Sequence, residues 1–265
     1  MALWVDRPIW PAHGTVFAHL VSDTSLAELH AFAQVVGLHP RSYDGDHYDV
    51  PHRRWDEVVA AGALVVDGRE ITRMLVRTGL RFRKRKGERP LAALPDALSF
   101  LDVPHRLDIV ASQLTPPDRT TVGAATFVFD RGDRVLLVHN VRRDTWEAPG
   151  GMRELPEPIS HTALRELREE TGLVLEPGRL RPVGYERLTL RTPSSQQRWP
   201  HVDNHIAVYA AHLPQREPVV APVLQDVSGA QWVPVAVARE RSGALPWWPL
   251  LEHYVSSDAF APGRG

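Results

Sequence analysis

The sequence predicts an α+β protein, a C-terminal mixed sheet with helices packed on it, preceded by a small α/β domain. Three observations carry that reading. Across residues 1–85, short apolar runs alternate with segments of helical period. Beyond about residue 120 the chain turns strand-rich, with one strong helix at 158–171. Between the two lies a stretch punctuated by Pro90, Pro95, Pro104, Pro116 and Pro117 and without clean periodicity. A length of 265 residues suits one large domain or two modest ones. Domains at 1–85 and 118–255 follow, with 86–117 as linker and lead-in.

The elements can be justified in order. Residues 3–5 form a short apolar strand ending at Asp6. Ser25 and Glu28 make a capping box, and Leu26, Leu29, Phe32, Ala33 and Val36 recur at helical spacing until Gly37 stops the helix. Pro51 opens a second helix with Trp55, Val58 and Val59 inward and Gly62 at its end. A strand at 63–66 and a helix over 69–78 complete the small unit. In the larger one, strands at 124–129 and 135–138 flank a turn from Asp130 to Asp133. Further strands fall near 188–190, 206–210 and 231–233, and a short helix near 247–255.

Composition narrows the function. With 43% hydrophobic and 24% charged residues the chain is of ordinary globular type, which argues against disorder and fibrous repeats. A net charge of −1 removes any whole-chain electrostatic case for nucleic acid or a membrane surface. There is no cysteine, so disulfides, thiolate metal sites and cysteine nucleophiles are excluded, and a metal would need oxygen or imidazole ligands. The first residues lack a basic, then apolar, leader pattern, and no run approaches the ~18 apolar residues of a membrane span. A cytoplasmic protein with no membrane partner is expected. Lysine occurs only at 84 and 86, neither after glycine, so a phosphate loop ending in Gly-Lys-Ser/Thr is absent. The commonest zinc protease and serine hydrolase motifs are absent too.

The informative helix carries Glu166, Glu169 and Glu170, which share one face at about 100° per residue, while Leu164, Leu167 and Thr171 fall on another. Three close carboxylates raise one another's pKa and weaken a helix unless a cation neutralises them. A hard divalent cation with oxygen ligands, Mg²⁺ above all, answers that need. Arg165 can orient a carboxylate, and Gly150 and Gly151 supply a turn without side chains whose carbonyl can approach the same cation. The segment Arg165 to Glu170 alone could equally be a solvated helix laced with ion pairs. The wider spacing decides: Gly151, five residues, Glu157, seven residues, Arg165-Glu166-Leu167, one residue, Glu169-Glu170, one residue, Gly172-Leu173. At average residue frequencies, chance produces such a pattern at a given position with odds on the order of 10⁻⁹ or lower.

This segment resembles the Nudix box, and the likeness extends over about 120–255 through Trp146 to Gly150 and Gln231 to Pro234. The resemblance implies a Nudix-type fold in which Glu166, Glu169 and Glu170, with the carbonyl of Gly150, ligate Mg²⁺ or Mn²⁺. It also implies water attack on phosphorus in a nucleoside diphosphate linked to another group. Asp226, six residues before Trp232, best matches the acidic side chain that often serves such proteins as general base, and a helix glutamate is the alternative. Pro156 departs from the pattern, which usually has glycine there. An isomerase branch of the fold resembles a cysteine mechanism, which this chain cannot run.

Arg142 and Arg143 either contact substrate phosphates or remain surface groups, and the loop 191–203, with Trp199, could shape a pocket. Trp247 and Trp248 could stack on a base or belong to the core. In the N-terminal part, Asp6, His19, Asp23, His30, His47 and Asp49 could converge on a metal or phosphodiester site, or could be capping aspartates and surface histidines. The segments 20–25 and 45–49 resemble a small bacterial domain family of unknown function, sometimes joined to a Nudix domain, over 1–85. Seven Arg or Lys against one acid between 77 and 89 read as a solvated charge run rather than a nucleic-acid surface. The expected function is metal-dependent hydrolysis of a phosphoanhydride bond in a nucleotide-type small molecule. The alternatives are a nucleotide-sensing module with little turnover, or a nuclease or nucleotide-processing activity in the N-terminal domain. Oligomeric state is left open.

Overall fold

A computed structural model of the chain describes residues 2–222 and 227–260. It divides into two compact units, Met1–Ala93 and Leu94–Gly265.

The first unit contains β1 (Leu3–Val5), β2 (Trp10–Ala12), β3 (Thr15–Ser22), α1 (Leu26–Val35), β4 (Tyr48–Pro51), α2 (His52–Ala60), β5 (Leu64–Val65) and α3 (Gly68–Arg77). The long strand β3 organises it, pairing antiparallel with β1 (Trp4 opposite Val21), β2 (Trp10 opposite Phe17) and β4 (His19 opposite Asp49). β5 runs parallel to β1. Side chains alternate across a strand, so β3 serves two cores. Ala18 and Leu20 pack with Leu29 and Ala33 of α1 and Val58 of α2, whereas Val21 packs with Ile71, Met74 and Leu75 of α3. This is the expected α/β unit. The expected capping box is one-sided: Ser25 accepts the Glu28 N–H at 3.1 Å, while the Glu28 carboxylate accepts from the Ser22 hydroxyl.

The basic run keeps its Arg and Lys side chains exposed, as the solvated reading expects, while several of its charges pair within this unit. Arg81 pairs with Asp46 at 3.3 Å, Lys84 pairs with Asp44, and Arg85 pairs with Glu88 at 2.6 Å. Phe82 is buried beside Gly45, which sits at φ +85 and where a Cβ would lie 2.6 Å from Pro90 and 2.8 Å from Phe82. A side chain at Gly45 would therefore push the run off its loop.

The stretch 86–117, read from sequence as linker and lead-in, holds two strands. The division between the units falls inside β6 (Arg89–Pro95), and β7 (His105–Ala111) pairs along β12 (Arg181–Leu190), from Ala111 opposite Gly184 to His105 opposite Leu190. Leu107, Ile109 and Val110 of β7 are fully buried. A strand covered on both faces shows no alternation, and flanking prolines gave it the look of a loop. Its buried Asp108 is satisfied by Arg106 at 2.6 Å and by Arg187 at 3.1 Å.

The second unit continues with β8 (Thr121–Phe129), β9 (Arg134–Asn140), β10 (Thr145–Glu147), β11 (Gly150–Met152), α4 (Ile159–Thr171), β12, β13 (Asp203–His212), β14 (Val227–Pro234), α5 (Val235–Ser242) and α6 (Trp248–Val255). The sheet runs β10-β9-β8-β13-β12-β7, with β11 on β8 and β14 on β9. β13 runs parallel to β8, which makes the sheet mixed as expected. α4 lies on it through two clusters, Ala163 with Ala124, Ala207 and Tyr209, and Leu167 with Val128, Leu136 and Leu213. Ala163 takes the packing role expected of Leu164, which stays half-buried. No helix among the described residues is long and apolar enough to cross a membrane.

Candidate functional site

The site grows from α4 and the strand it covers. Gly172, at φ +75, ends the helix by donating its N–H to the Arg168 carbonyl at 2.8 Å, a stop that an L side chain would strain. β11 pairs with β8, Gly150 opposite Ala125 and Gly151 opposite Ala124, and so lays the two glycines under the helix. Glu170 accepts the Gly150 N–H at 2.8 Å. A Cβ on Gly151 would overlap the Glu166 carboxylate, and one on Gly150 would meet the Ala124 carbonyl at 2.5 Å. Glycine is therefore needed at both positions for steric reasons. Glu166 and Glu170 are each only 8% exposed, and Glu169 is half-buried.

Arg165 binds more than the single carboxylate expected of it. Nη1 donates to Glu166 at 2.9 Å and Glu169 at 3.1 Å. Nη2 donates to Glu157 at 3.0 Å and to the Met152 carbonyl at 2.9 Å, and Nε donates to Glu157 at 3.3 Å. Burial would raise the Glu157 carboxyl, but hydrogen bonds from Arg165, the Glu154 N–H and the Thr162 hydroxyl overcome it and hold the group at about 2. The Glu166 carboxyl is raised, chiefly by burial, with Arg165 opposing. Pro156 follows a cis peptide bond, and Glu157 keeps its anchors to Thr162 at 2.8 Å and to the Glu154 N–H at 3.1 Å.

A hard divalent cation fits this donor set. Its donors are all oxygens, and two buried carboxylates face a glycine cradle that a Cβ would fill. The guanidinium of Arg165 lies among Glu157, Glu166 and Glu169. Among the described residues, the one trio of His or acidic side chains with ligand atoms within 4.8 Å of one another lies elsewhere, at His19, His47 and Asp49.

The remaining sequence candidates separate. Arg142 and Arg143 sit on the exposed turn after β9, with Arg143 bonded to Glu147 at 2.7 Å. Trp199 is no open pocket wall: it is 7% exposed and stacks on Phe100 with centroids 6.5 Å apart. Trp248 is buried and Trp247 lies 5.8 Å from the Phe127 ring, which is the core reading of that pair. Asp226 lies outside the described residues. Glu186 of β12 escaped the sequence reading because a lone acid in a strand carries no spacing signal. Burial, reinforced by the charge of Glu147, pushes its carboxyl up to about 7, where a group can exchange a proton near neutrality.

In the N-terminal unit four of six candidates come together. His19 on β3 faces Asp49 on β4 across the ladder, and His47 stands two residues before Asp49. Asp6, just after β1, binds His19 Nδ1 at 3.0 Å, and Asp46 binds His47 Nδ1 at 2.6 Å. Burial would lower the His47 imidazole; hydrogen bonds to Asp46 and Asp49 overcome it and push it up to about 9. Asp23 and His30 do not join. Asp23 accepts from the Ala2 N–H at 2.9 Å and the Trp4 indole at 3.2 Å, while His30 bonds the Tyr48 hydroxyl at 2.8 Å.

Comparison with known proteins finds two family matches along the chain. The NUDIX domain family matches residues 119–253, half of the chain, and the protein belongs to the Nudix family. Residues 3–78 match a second family, described as a protein of unknown function, DUF4031. The chain is 32% identical over 148 residues to the m7GpppN-mRNA hydrolase NUDT17 of Xenopus laevis, covering 49% of this chain and 48% of that protein. It is 45% identical over 58 residues to the human nucleoside diphosphate-linked moiety X motif 6, covering 21% of this chain and 18% of that protein. It is 41% identical over 56 residues to the uncharacterized Nudix hydrolase YvcI of Bacillus subtilis, covering 21% of this chain and 35% of that one. The chain thus spans half or less of the length of these relatives. Among solved structures, a NUDIX hydrolase from Nitrosomonas europaea is similar at TM-score 0.41 and 18% identity, covering 52% of this chain and 88% of that one.

Proposed function

We propose that the C-terminal unit hydrolyses a phosphoanhydride bond in a nucleoside diphosphate linked to another group, with water as nucleophile and Mg²⁺ or Mn²⁺ as cofactor. The observation that carries this reading is α4 lying on β11, with Glu166 and Glu170 buried against Gly150 and Gly151 and Arg165 bridging Glu157, Glu166 and Glu169. Glu166, Glu169, Glu170 and the Gly150 carbonyl would hold the cation. Once bound, it would offset charge on the pyrophosphate oxygens and acidify a water. Arg165 keeps Glu157 ionised and fixes the rotamers of Glu166 and Glu169, so the charges are oriented before substrate arrives. Arg142 and Arg143 would meet the phosphates, and Asp226 or a helix glutamate would take the proton of the attacking water. The names of two relatives, one for nucleoside diphosphate-linked moieties and one for m7GpppN-mRNA, support the substrate class.

The test is formation of the two phosphorylated products, a nucleoside phosphate and the other phosphate monoester or pyrophosphate, from a panel of ADP-ribose, dinucleoside polyphosphates, nucleotide sugars and oxidised nucleoside triphosphates, with Mg²⁺ or Mn²⁺ and with excess chelator. Glu169→Gln and Glu170→Gln should each lower kcat about 10²-fold or more, the cost of removing a principal electrostatic group. Full turnover in chelator, or wild-type rates in both variants, refutes the assignment. Ligand binding without cleavage into two phosphorylated products would make the unit a nucleotide sensor.

A further inference from the structure

We propose that His19 Nε2, His47 Nε2 and the Asp49 carboxylate form a binding site for one divalent transition-metal ion of the Zn²⁺ or Co²⁺ kind, separate from the carboxylates of α4. The strand register creates half of the juxtaposition, since His19 and Asp49 are direct cross-strand neighbours, and His47, in the turn just before β4, brings its Nε2 to within 3.5 Å of Asp49. Their ligand atoms lie within 4.8 Å of one another. Asp49 Oδ1 is 4.0 Å from His19 Nε2 and 3.5 Å from His47 Nε2. Ligands about 2.05 Å from a tetrahedral metal are about 3.3 Å apart, so closure asks for movements of no more than about 1 Å for any one side chain.

The surroundings of the two imidazoles point the same way. Each ring uses Nδ1 on a buried carboxylate, Asp6 at 1% and Asp46 at 2% exposure, which leaves both Nε2 atoms turned to Asp49. A metal-binding histidine characteristically carries such a carboxylate behind it, fixing tautomer and ring orientation. The two aspartates are themselves held from several sides. Asp6 accepts from the His19 N–H at 2.6 Å and the Trp10 indole at 2.9 Å. Asp46 accepts from the Phe82 N–H at 2.6 Å and pairs with Arg81 at 3.3 Å. Burying two carboxylates costs free energy that mere surface histidines would not need. Mixed imidazole and carboxylate donors suit first-row transition metals better than Mg²⁺ or Ca²⁺. The three side chains are 26%, 14% and 40% exposed, so solvent reaches them, and three protein ligands leave a coordination position for water or an oxyanion.

The test uses the full chain stripped by chelator and titrated with Zn²⁺ while the ¹⁵N resonances of its histidine rings are followed. That readout is blind to carboxylate-only binding at α4. One equivalent should shift the Nε2 resonances of His19 and His47 together, and millimolar Mg²⁺ should leave the shifts in place. His47→Ala should abolish the effect. Asp49→Asn, an isosteric change at a part-exposed position, should weaken binding at least tenfold, and it carries the test if His47→Ala fails to fold. Asp46→Asn should weaken binding about 10- to 100-fold, as loss of a carboxylate behind a ligand does elsewhere. Rings that do not respond to excess Zn²⁺, or wild-type affinity in Asp49→Asn, would reduce the cluster to an ion-pair network and overturn the proposal.

Discussion

Replacing Gly151 with alanine should disable the C-terminal unit without unfolding it. An added Cβ would lie 2.6 Å from Glu166 Oε2 and closer still to two other carboxylate atoms, where ordinary contact begins at 3.4 Å. The carboxylate must therefore retreat by about 1 Å, and as the far end of a flexible side chain it can do so at little cost to the fold. A misplacement of about 1 Å costs on the order of 10²-fold in rate, or roughly 2.7 kcal/mol of barrier. Gly150→Ala is the contrasting substitution. Its Cβ would meet the Ala124 carbonyl at 2.5 Å and Ala125 Cα at 2.7 Å, and backbone cannot swing aside. Overpacking of that kind costs about 1–3 kcal/mol, a fall in Tm of roughly 2–12 °C. The assay pairs steady-state hydrolysis of whichever panel compound is cleaved with thermal melts of both variants. A Gly151→Ala protein with wild-type kcat, or a Gly150→Ala protein with wild-type Tm, would refute the reasoning.

Other outcomes follow from the same geometry. Glu157 is held at about 2 against an ordinary 4.5, so its stabilisation is fully present above pH 4.5 and is lost as pH falls toward 2. Glu157→Gln should flatten the stability profile across that window, by on the order of 3 kcal/mol at most given its partial exposure, and identical acid melts for variant and parent would exclude it. A fragment spanning 94–265 should fold, whereas one spanning 115–265 lacks β7 and with it the buried Leu107, Ile109 and Val110. At about 1.5–3 kcal/mol each, those side chains amount to most of a typical domain's stability, so cooperative melting of the shorter fragment would show that β7 is dispensable. Asp226→Asn should lower kcat far more than it raises KM if that residue takes the proton, and an unchanged kcat returns the role to a helix glutamate.

The sequence by itself determined whatever depends on local spacing. A helical period near 3.6 places Glu166, Glu169 and Glu170 on α4 and sets Gly172 at its end, and both are readable from residues within a few turns of one another. The stops at Gly37 and Gly62 and the cap at Ser25 were legible for the same reason. Only the tertiary structure decided what depends on which strands pair. β7 hides in a proline-flanked stretch because burial on both faces erases its alternation, and the partner that reveals it, β12, begins some 70 residues later in the chain. Among six acid and histidine candidates of the N-terminal unit, the register of β3 on β4 brings His19 to Asp49 and His47, while Asp23 and His30 are spent on other bonds. The basic run was legible as a solvated charge run, and only the fold supplied Asp44 and Asp46 as partners for Lys84 and Arg81. Arg165 gathers three carboxylates because β11 and the loop before α4 bring Met152 and Glu157 beside the helix. Helical neighbours are set by chain geometry alone, whereas neighbours across a sheet are set by burial and hydrogen bonding between segments far apart in sequence, which no single segment encodes.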